Sequence, residues 1–252
     1  MKKTGEKILG IVAPVLVFAA LLGVWQFLCV KNNIPKWLLP APLEIFKCMF
    51  ENFADFWPHI LISLETVIIG FVFAVPVGIL IATLITSNKI VAAAASPYIT
   101  ILVITPLVTL LPILMLFLGY GLKVRIIGVI LQSFAIVNMN TCTGILNVPV
   151  IRHELMQSMG ATKIQSLRHV IYPTAARDIF TGVRLSAIFA TTACVAAEYV
   201  GGNEGLGAKI IIYSQYLKTT ESFACIFFVT IIGLIMYGLV SLLQKTILYW
   251  RT

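Results

Sequence analysis

Charged residues are scarce in this sequence. Only 11% of its 252 residues are Asp, Glu, Lys or Arg, whereas 60% are hydrophobic. A soluble domain carries about 25% charged residues, so this composition excludes a water-facing globular protein. The mean hydropathy of +1.00 indicates that lipid surrounds most of the chain. We therefore expect a single membrane domain over residues 1–252, without a division into soluble domains.

Patterns that hold metals or disulfides are also missing. The sequence has five cysteines, none of them in a CxxC pair and most of them within apolar runs. This argues against a disulfide framework or a structural metal site. His153 and Glu154 lack the second histidine, four residues on, that a zinc-protease helix requires. We expect no metal site and no catalytic residues in this chain.

A nucleotide-binding loop is absent as well. Residues 202–209 read GNEGLGAK, in which Ala208 separates the glycine and lysine that a P-loop needs side by side. We therefore expect the chain itself to bind neither ATP nor another cofactor. The net charge of +8 is not accompanied by an aromatic and basic cluster, so we expect no nucleic-acid partner.

Long apolar runs dominate the sequence. A membrane-spanning helix needs about 20 mostly apolar residues, and six segments satisfy this requirement: 8–30, 58–86, 91–118, 124–146, 179–200 and 222–249. The first run is too long for the hydrophobic part of a typical signal peptide. The sequence thus predicts an all-α polytopic protein of the cell membrane, with six transmembrane helices and the first one retained.

Basic residues are distributed unequally around these spans. With the N-terminus inside, ten of the 18 Lys and Arg residues flank the inner ends and seven flank the outer ends. The remaining one, Arg184, lies near the inner end of the fifth span. Because cytoplasmic loops carry an excess of Lys and Arg, we predict that both termini lie in the cytoplasm.

The connections between spans differ in character. Residues 31–57 are rich in proline and aromatic residues, which favours an amphipathic helix in the membrane interface. Residues 87–90 and 119–123 are short enough for tight turns. We expect residues 201–221 to form a glycine-rich outer loop, and the longest polar inner connection to run from 147 to 178.

The inner connection 147–178 predicts two short helices. Pro149 suits the first turn of a helix, and Gly160 suits the left-handed position that ends one. Thr162 and Gln165 then fit the capping box that opens a second helix. The first helix carries one apolar stripe with four-residue spacing, made of Ile151, Leu155 and Met159.

The second of these helices carries an apolar face of Ile164, Leu167 and Ile171. Pro173 is then expected to interrupt the chain before the fifth span. We therefore predict two short helices that are joined by a bend and lie on the inner membrane face. A simple linker would need none of these helix-start and helix-stop signals.

This loop resembles the EAA loop of ABC importer permeases. Glu154 is followed by Gly160 six residues later and by Pro173 thirteen residues after that, in the segment ELMQSMGATKIQSLRHVIYP. The family pattern is E-A-A, three residues, G, nine residues and I-x-L-P. This sequence departs from it at four positions, where it has Leu155, Met156, Val170 and Tyr172.

The similarity continues outside the loop. Matching segments are LPAPLEI (39–45), HILISLETVIIGF (59–71), TPLVTLLPILMLFLGYG (105–121), GVRL (182–185), AE (197–198) and GLG (205–207). Together they resemble the permeases that serve sulfonates, taurine, nitrate and pyrimidine or thiamin precursors. The resemblance covers about residues 39–207 and, by topology, the whole chain.

The resemblance implies how the work of transport is divided. Such a permease pairs with a second copy, an ATPase pair holds ATP and Mg²⁺ and docks on the inner loops, and an external binding protein delivers the substrate. Glu154 would pair with a basic residue of the ATPase, and Gly160 would set the bend. The residues expected to take part in coupling are Glu154, Gly160, Ala161, Lys163, Arg168 and Pro173.

Polar residues and prolines within the spans are candidates for the translocation path. Charges inside a membrane are costly and suggest function, but for Glu65, Arg184 and Glu198 structural pairing is the preferred interpretation over substrate contact. Amides in the fourth span either line a wet path or join helices, and prolines in the third permit kinks. The candidates are Glu65, Pro106, Gln132, Asn138, Arg184 and Glu198.

A secondary transporter or channel that acts without an ATPase is the alternative interpretation. It would need coupling charges at mid-membrane and often shows inverted repeats, and neither is evident in the sequence. A membrane-embedded enzyme would need a nucleophile and base or a metal constellation, which the sequence also lacks. The importer permease is therefore the preferred hypothesis.

Overall fold

The computed structural model describes residues 2–248, which form helices joined by short turns, without a β-strand. The helices of this part of the chain are α1 (Lys2–Lys31), α2 (Pro42–Glu51), α3 (Phe53–Thr86), α4 (Lys89–Ile104), α5 (Leu107–Leu118), α6 (Leu122–Leu146), α7 (Val150–Ser158), α8 (Lys163–Ser166), α9 (Tyr172–Gly201), α10 (Leu206–Gln215) and α11 (Thr219–Ile247). A π-helical segment, Leu167–Ile171, joins α8 to α9.

Five of the predicted spans correspond to single long helices. The apolar stretches that are long enough to cross a membrane lie in α1, α3, α6, α9 and α11. Residue 249, the predicted end of the sixth span, lies outside the described residues. We call the face that carries α7 and α8 the loop face, and the opposite end of the helix bundle the far face.

The third predicted span is not one continuous helix. It consists of α4 and α5, whose axes meet at 95°. Proline has no N–H and disfavours helical geometry in the residue before it; accordingly, Thr105 and Pro106 are extended, with ψ of 121° and 119°. The span predicted over 91–118 is therefore present as two half-helices, and the bend at Pro106 is sharper than the kink that its prolines indicated.

Pro173 does not interrupt the chain as predicted. The helix runs from Lys163 through the π-helical segment to Gly201, and the Tyr172 N–H bonds to the Leu167 carbonyl across the wider turn. Pro173 therefore falls in the first turn of α9, where a missing N–H is tolerated. The second helix of the loop and the fifth span are consequently one helical element.

The connection 201–221 is also more ordered than its glycines indicated. It contains the ten-residue helix α10, which begins directly after Gly205. The expected loop is thus limited to the residues on either side of α10. A helix predicted in residues 31–57 is present as α2, which begins with Pro42 at its first turn.

Three helices form the centre of the molecule: α6 packs between α3 and α9. Glycines allow the close approach, because a Cβ added to Gly78 would lie 2.9 Å from Val137, and one added to Gly182 would lie 2.6 Å from Asn140. Small residues at such contacts are typical of membrane helix packing. The described part of α1, in contrast, is largely exposed and contributes little to this centre.

Candidate functional site

The bend between α7 and α8 is held by backbone hydrogen bonds. Gly160 has a φ of +68°, its N–H donates to the Gln157 carbonyl at 2.9 Å, and the Ala161 N–H donates to the Met156 carbonyl at 3.0 Å. These bonds are the two that define a Schellman motif at a helix C-terminus. The bend is therefore a fixed turn with satisfied carbonyls.

A capping box fixes the start of α8. The Gln165 N–H donates to Thr162 Oγ1 at 3.3 Å, and the Thr162 N–H donates to Gln165 Oε1 at 2.8 Å. Both donors at this helix start are thereby satisfied. Together with the Gly160 turn, the box sets the direction of α8 relative to α7, as the sequence predicted.

The apolar stripe of this loop lies on the molecular surface. Its side chains are between 59% and 76% exposed, and no other described segment covers them. They are Ile151, Leu155 and Met159 of the predicted stripe, together with the neighbouring Val150 and Ile164. Since exposed apolar groups in an otherwise polar loop typically mark an interaction site, this surface has the character of a docking face.

Two side-chain hydrogen bonds attach the loop to the helix bundle. Arg152 Nη1 donates to Thr174 Oγ1 at 2.6 Å, and the hydroxyl groups of Tyr172 and Thr83 are 2.8 Å apart. A cleft of about 300 Å³ lies between the loop and the helix bundle. It is lined by Thr83, Thr86, Ser87, Ile145, His153, Gln157, Ala161, Lys163, Ser166, Leu167 and Ile171.

The other predicted coupling residues lie in the same part of the chain. Glu154, Lys163 and Arg168 are exposed, and the Glu154 carboxylate forms no ion pair with any described residue. Ala161 is half-buried and lines the cleft, and Pro173 is half-buried at the start of α9. The loop thus offers exposed charged groups of both signs in addition to its apolar stripe.

The predicted path residues do not form one cluster. Glu65 is exposed on α3, Pro106 stands at the break between α4 and α5, and Gln132 and Arg184 are half-buried on α6 and α9. Asn138 is fully buried and joins two helices, because its Nδ2 donates to the Gly78 carbonyl at 3.2 Å.

Glu198 is the centre of a buried cluster near the far face. Its carboxylate is fully buried and accepts hydrogen bonds from Ser63 Oγ at 2.8 and 2.9 Å. It also accepts from the Gly207 N–H at 2.8 Å and from Cys194 Sγ at 3.3 Å. The Ser63 hydroxyl in turn accepts from the Leu206 N–H at 2.9 Å.

A second charged side chain flanks the same connection. Arg125, near the start of α6, is only 5% exposed, and its Nη1 donates to the Glu204 carbonyl at 3.2 Å. Its Nη2 is 3.8 Å from the Glu204 carboxylate. The AE and GLG segments were recognised in the sequence because they match the family pattern. The roles of Ser63 and Arg125 were not predicted, since their hydrogen-bond partners are distant in the chain.

The family profile described as "binding-protein-dependent transport system inner membrane component" matches residues 74–249. This match covers more than half of the chain. The chain therefore belongs to this family, and is a multi-pass membrane permease of the binding-protein-dependent ABC importer type.

Curated relatives of similar length agree with this assignment. The chain is 28% identical to the formylaminopyrimidine transport permease protein ThiX of Halalkalibacterium halodurans, over 94% of this chain and 95% of that protein. It is 28% identical to the putative aliphatic sulfonates transport permease protein SsuC of Bacillus subtilis, over 99% and 91%. The taurine transport system permease protein TauC of Escherichia coli is also 28% identical, over 92% and 87%.

Solved structures share the fold. An amino acid ABC transporter crystallised with histidines superposes with a TM-score of 0.63 at 21% identity, over 80% of this chain and 98% of the other. An inward-facing form of the MetNI methionine ABC transporter gives 0.62 at 19% identity, over 79% and 96%. At this level of identity the comparison establishes the fold alone.

Proposed function

We propose that this chain forms the translocation path of an ATP-driven importer and is coupled to a separate ATPase through residues 147–178. The observation that carries the proposal is the apolar stripe, which is exposed on a loop fixed by a Schellman turn and a capping box. A loop with this geometry can pass a displacement from the ATPase to the membrane helices, because its two helices are held at a fixed angle.

The chemistry of the stripe supports an ATPase groove as its partner. Ile151, Leu155 and Met159 would fill an apolar groove, as an amphipathic helix does when it binds. Glu154 has no ionic partner among the described residues and would pair with a basic residue of the ATPase. ATP and Mg²⁺ would bind in that partner, and this chain would have no catalytic role.

Family membership supports a proposal for the remaining parts of the assembly. We infer that two copies pair around the path, that both termini lie in the cytoplasm, and that an extracytoplasmic binding protein delivers the solute. The distribution of basic residues supports this orientation. The loop face is then cytoplasmic and the far face extracytoplasmic.

We further propose that the solute is small and anionic or heterocyclic. The support is the set of relatives, whose names refer to formylaminopyrimidine, aliphatic sulfonates, taurine and nitrate. Thermal-shift screening of the partner binding protein against these four classes tests the proposal. A ligand should raise the melting temperature of the binding protein and be taken up by vesicles that contain the whole complex.

Coupling is tested with Glu154→Ala in reconstituted vesicles that contain the ATPase. We expect the variant to reach the membrane at the normal level but to lose most solute uptake per ATP hydrolysed. The physical reason is that without the ion pair the ATPase would hydrolyse ATP without displacing the loop. ATPase activity and uptake are measured on the same vesicles.

Glu51→Ala serves as the matched control. Glu51 is an exposed carboxylate on α2, outside the loop, and its ion pair with Lys47 is long, at 3.7 Å, and exposed to solvent. It should transport normally. Normal coupling in Glu154→Ala would contradict the proposed contact. Uptake that needs only an ion gradient, with no ATPase in the complex, would favour the secondary-transporter alternative.

A further inference from the structure

One helical element connects the two faces of the molecule. The stretch from Lys163 to Gly201 comprises 39 residues without a break in its helical hydrogen bonding, which corresponds to about 58 Å at 1.5 Å per residue. Its first residues belong to the coupling loop, and its last residues reach the far face. A displacement of the loop can therefore move the far end of the same helical element.

The far end of this element is attached to α10 by Glu198. The carboxylate accepts from the Gly207 N–H at 2.8 Å, and Ser63 Oγ links it to the Leu206 N–H. These are N–H groups of the first turn of α10, which have no carbonyl partner within their own helix. A negative charge at this end of a helix is favourable, so Glu198 holds α10 by its N-terminus.

The attachment leaves no space for another side chain. Gly205 has a φ of +94°, and a Cβ there would lie 2.2 Å from Glu198 Cδ. A Cβ on Gly207 would lie 2.6 Å from the Val195 carbonyl oxygen. The GLG segment is therefore in direct backbone contact with α9, and sliding of α10 along α9 would require these contacts to separate.

The contact on the exposed side of the same connection is much weaker. Glu204 is 67% exposed, and its carboxylate is 3.8 Å from Arg125 Nη2. Arg125 itself is buried, but its carboxylate partner is exposed and 3.8 Å away, so this ion pair contributes little to stability. The hydrogen bond from Arg125 Nη1 goes to the Glu204 backbone carbonyl and does not involve the Glu204 side chain. Glu198 and Ser63 are thus the side chains that bond the first N–H groups of α10, whereas Arg125 bonds the connection before it.

We propose that Glu198 is a positioning residue that makes α10 move together with α9, so that a displacement of the coupling loop reaches the far face. The inference rests on the proposed coupling to an ATPase. It gives the AE and GLG segments a shared role: one supplies the carboxylate, and the other supplies the closely approaching backbone that the carboxylate holds.

The attachment is tested by hydrogen–deuterium exchange of the protein in lipid nanodiscs. In Glu198→Gln one of the two accepting oxygens becomes an NH2 group and the negative charge is lost, so the cluster can no longer satisfy all of its donors. Exchange of the peptide that covers residues 202–212 should therefore accelerate about tenfold. Ser63→Ala keeps the carboxylate and should accelerate the same peptide to a smaller extent. Glu204→Gln, on the exposed side of the same connection, should leave it unchanged.

Equal exchange in wild type and both variants would overturn the attachment. If Glu198→Gln does not fold, Ser63→Ala still tests the attachment. Its replacement removes only the hydroxyl that bonds both the Glu198 carboxylate and the Leu206 N–H. An equal acceleration in Glu204→Gln would also contradict the proposal, since it would show that the exposed pair holds the connection.

Transmission is tested by the same measurement on the complex with its ATPase, with and without a non-hydrolysable ATP analogue. The wild type should show nucleotide-dependent exchange both in residues 150–170 and in residues 202–212. Glu198→Gln should keep the first response and lose the second, whereas Glu204→Gln should keep both.

The two failures can be distinguished. If residues 150–170 do not respond in the wild type, the proposed coupling to the ATPase is contradicted. If they respond and residues 202–212 do not, or if Glu198→Gln keeps both responses, the proposed role of Glu198 is contradicted while the coupling stands.

Discussion

Gly205 and Gly119 have similar backbone conformations in very different surroundings. Their φ angles are +94° and +76°, a region that side chains rarely occupy. A Cβ on Gly205 would collide with Glu198, whereas a Cβ on Gly119 would meet no atom within 4 Å. The two positions therefore separate the cost of backbone strain from the cost of overpacking.

We expect Gly205→Ala to lower the stability of the purified protein by about 2–4 kcal/mol. Backbone strain contributes about 1 kcal/mol, and overpacking against a buried side chain adds about 1–3 kcal/mol. Gly119→Ala should lower the stability only by the cost of the backbone strain, because its Cβ would meet no neighbouring atom. Thermal unfolding in the same detergent provides the comparison, and equal melting temperatures for the two variants would contradict the close contact with Glu198.

Individual hydrogen bonds and turns could be predicted from the sequence where the residues that form them are close in the chain. Thr162 and Gln165 are three residues apart, and Gly160 acts through its own backbone, so capping and turn rules predicted both features. Ser63 and Glu198 are separated by 135 residues. Their hydrogen bond depends on how α3 and α9 pack, which no local rule specifies.

The bend between α7 and α8 determines how the docking face is presented. Gly160 supplies the left-handed residue of the Schellman turn, and a Cβ there would meet no neighbour within 4 Å. Any effect of a substitution at this position therefore comes from the backbone conformation and not from a steric clash.

We expect Gly160→Asn to retain coupling and Gly160→Val to lose most of it. Asparagine tolerates a positive φ, whereas a β-branched residue is strained there and should open the turn. Solute uptake per ATP hydrolysed in reconstituted vesicles measures the difference. If the valine variant transports as well as the asparagine variant, the fixed bend is not needed for coupling.

Element boundaries could be predicted where apolar runs end in polar residues, as for α3 and α6. They could not be predicted within 91–118, because that run is apolar throughout and Pro106 can either kink or break a helix. The same limit applied to α10. Its start depends on a carboxylate from another helix, and the glycines before it indicated a loop.

The arrangement of α3, α6 and α9 forms the centre of the whole molecule. Its contacts depend on glycines, and Gly78 in particular faces Val137 with no space for a side chain. Gly238 on α11 is a suitable comparison, since a Cβ there would meet no atom within 4 Å. Both residues lie within long apolar helices.

We expect Gly78→Leu to prevent normal folding or to lower stability by about 3 kcal/mol or more, because overpacking would separate α3 from α6. Gly238→Leu should remain within about 0.5 kcal/mol of the parent. The yield of monodisperse protein and its melting temperature measure both effects. A similar loss in the two variants would contradict the proposed centre.

At the scale of the molecule, composition was sufficient to predict an all-α membrane protein, and the motif spacing was sufficient to indicate the family. Which helices pack against one another could not be predicted, because apolar side chains that face lipid and those that face a neighbouring helix look alike in sequence. Glycines do not resolve this either, because Gly78 packs against α6 whereas Gly238 has no neighbour within 4 Å.

The exposed stripe on α7 and α8 also affects the life of the protein in the cell. A newly made copy that has not yet met its ATPase displays Ile151, Leu155 and Met159 to the cytoplasm, according to the proposed orientation. Chaperones and proteases recognise such apolar segments on unassembled chains. The abundance of this permease should therefore follow the supply of its ATPase, so that surplus copies are removed before they accumulate.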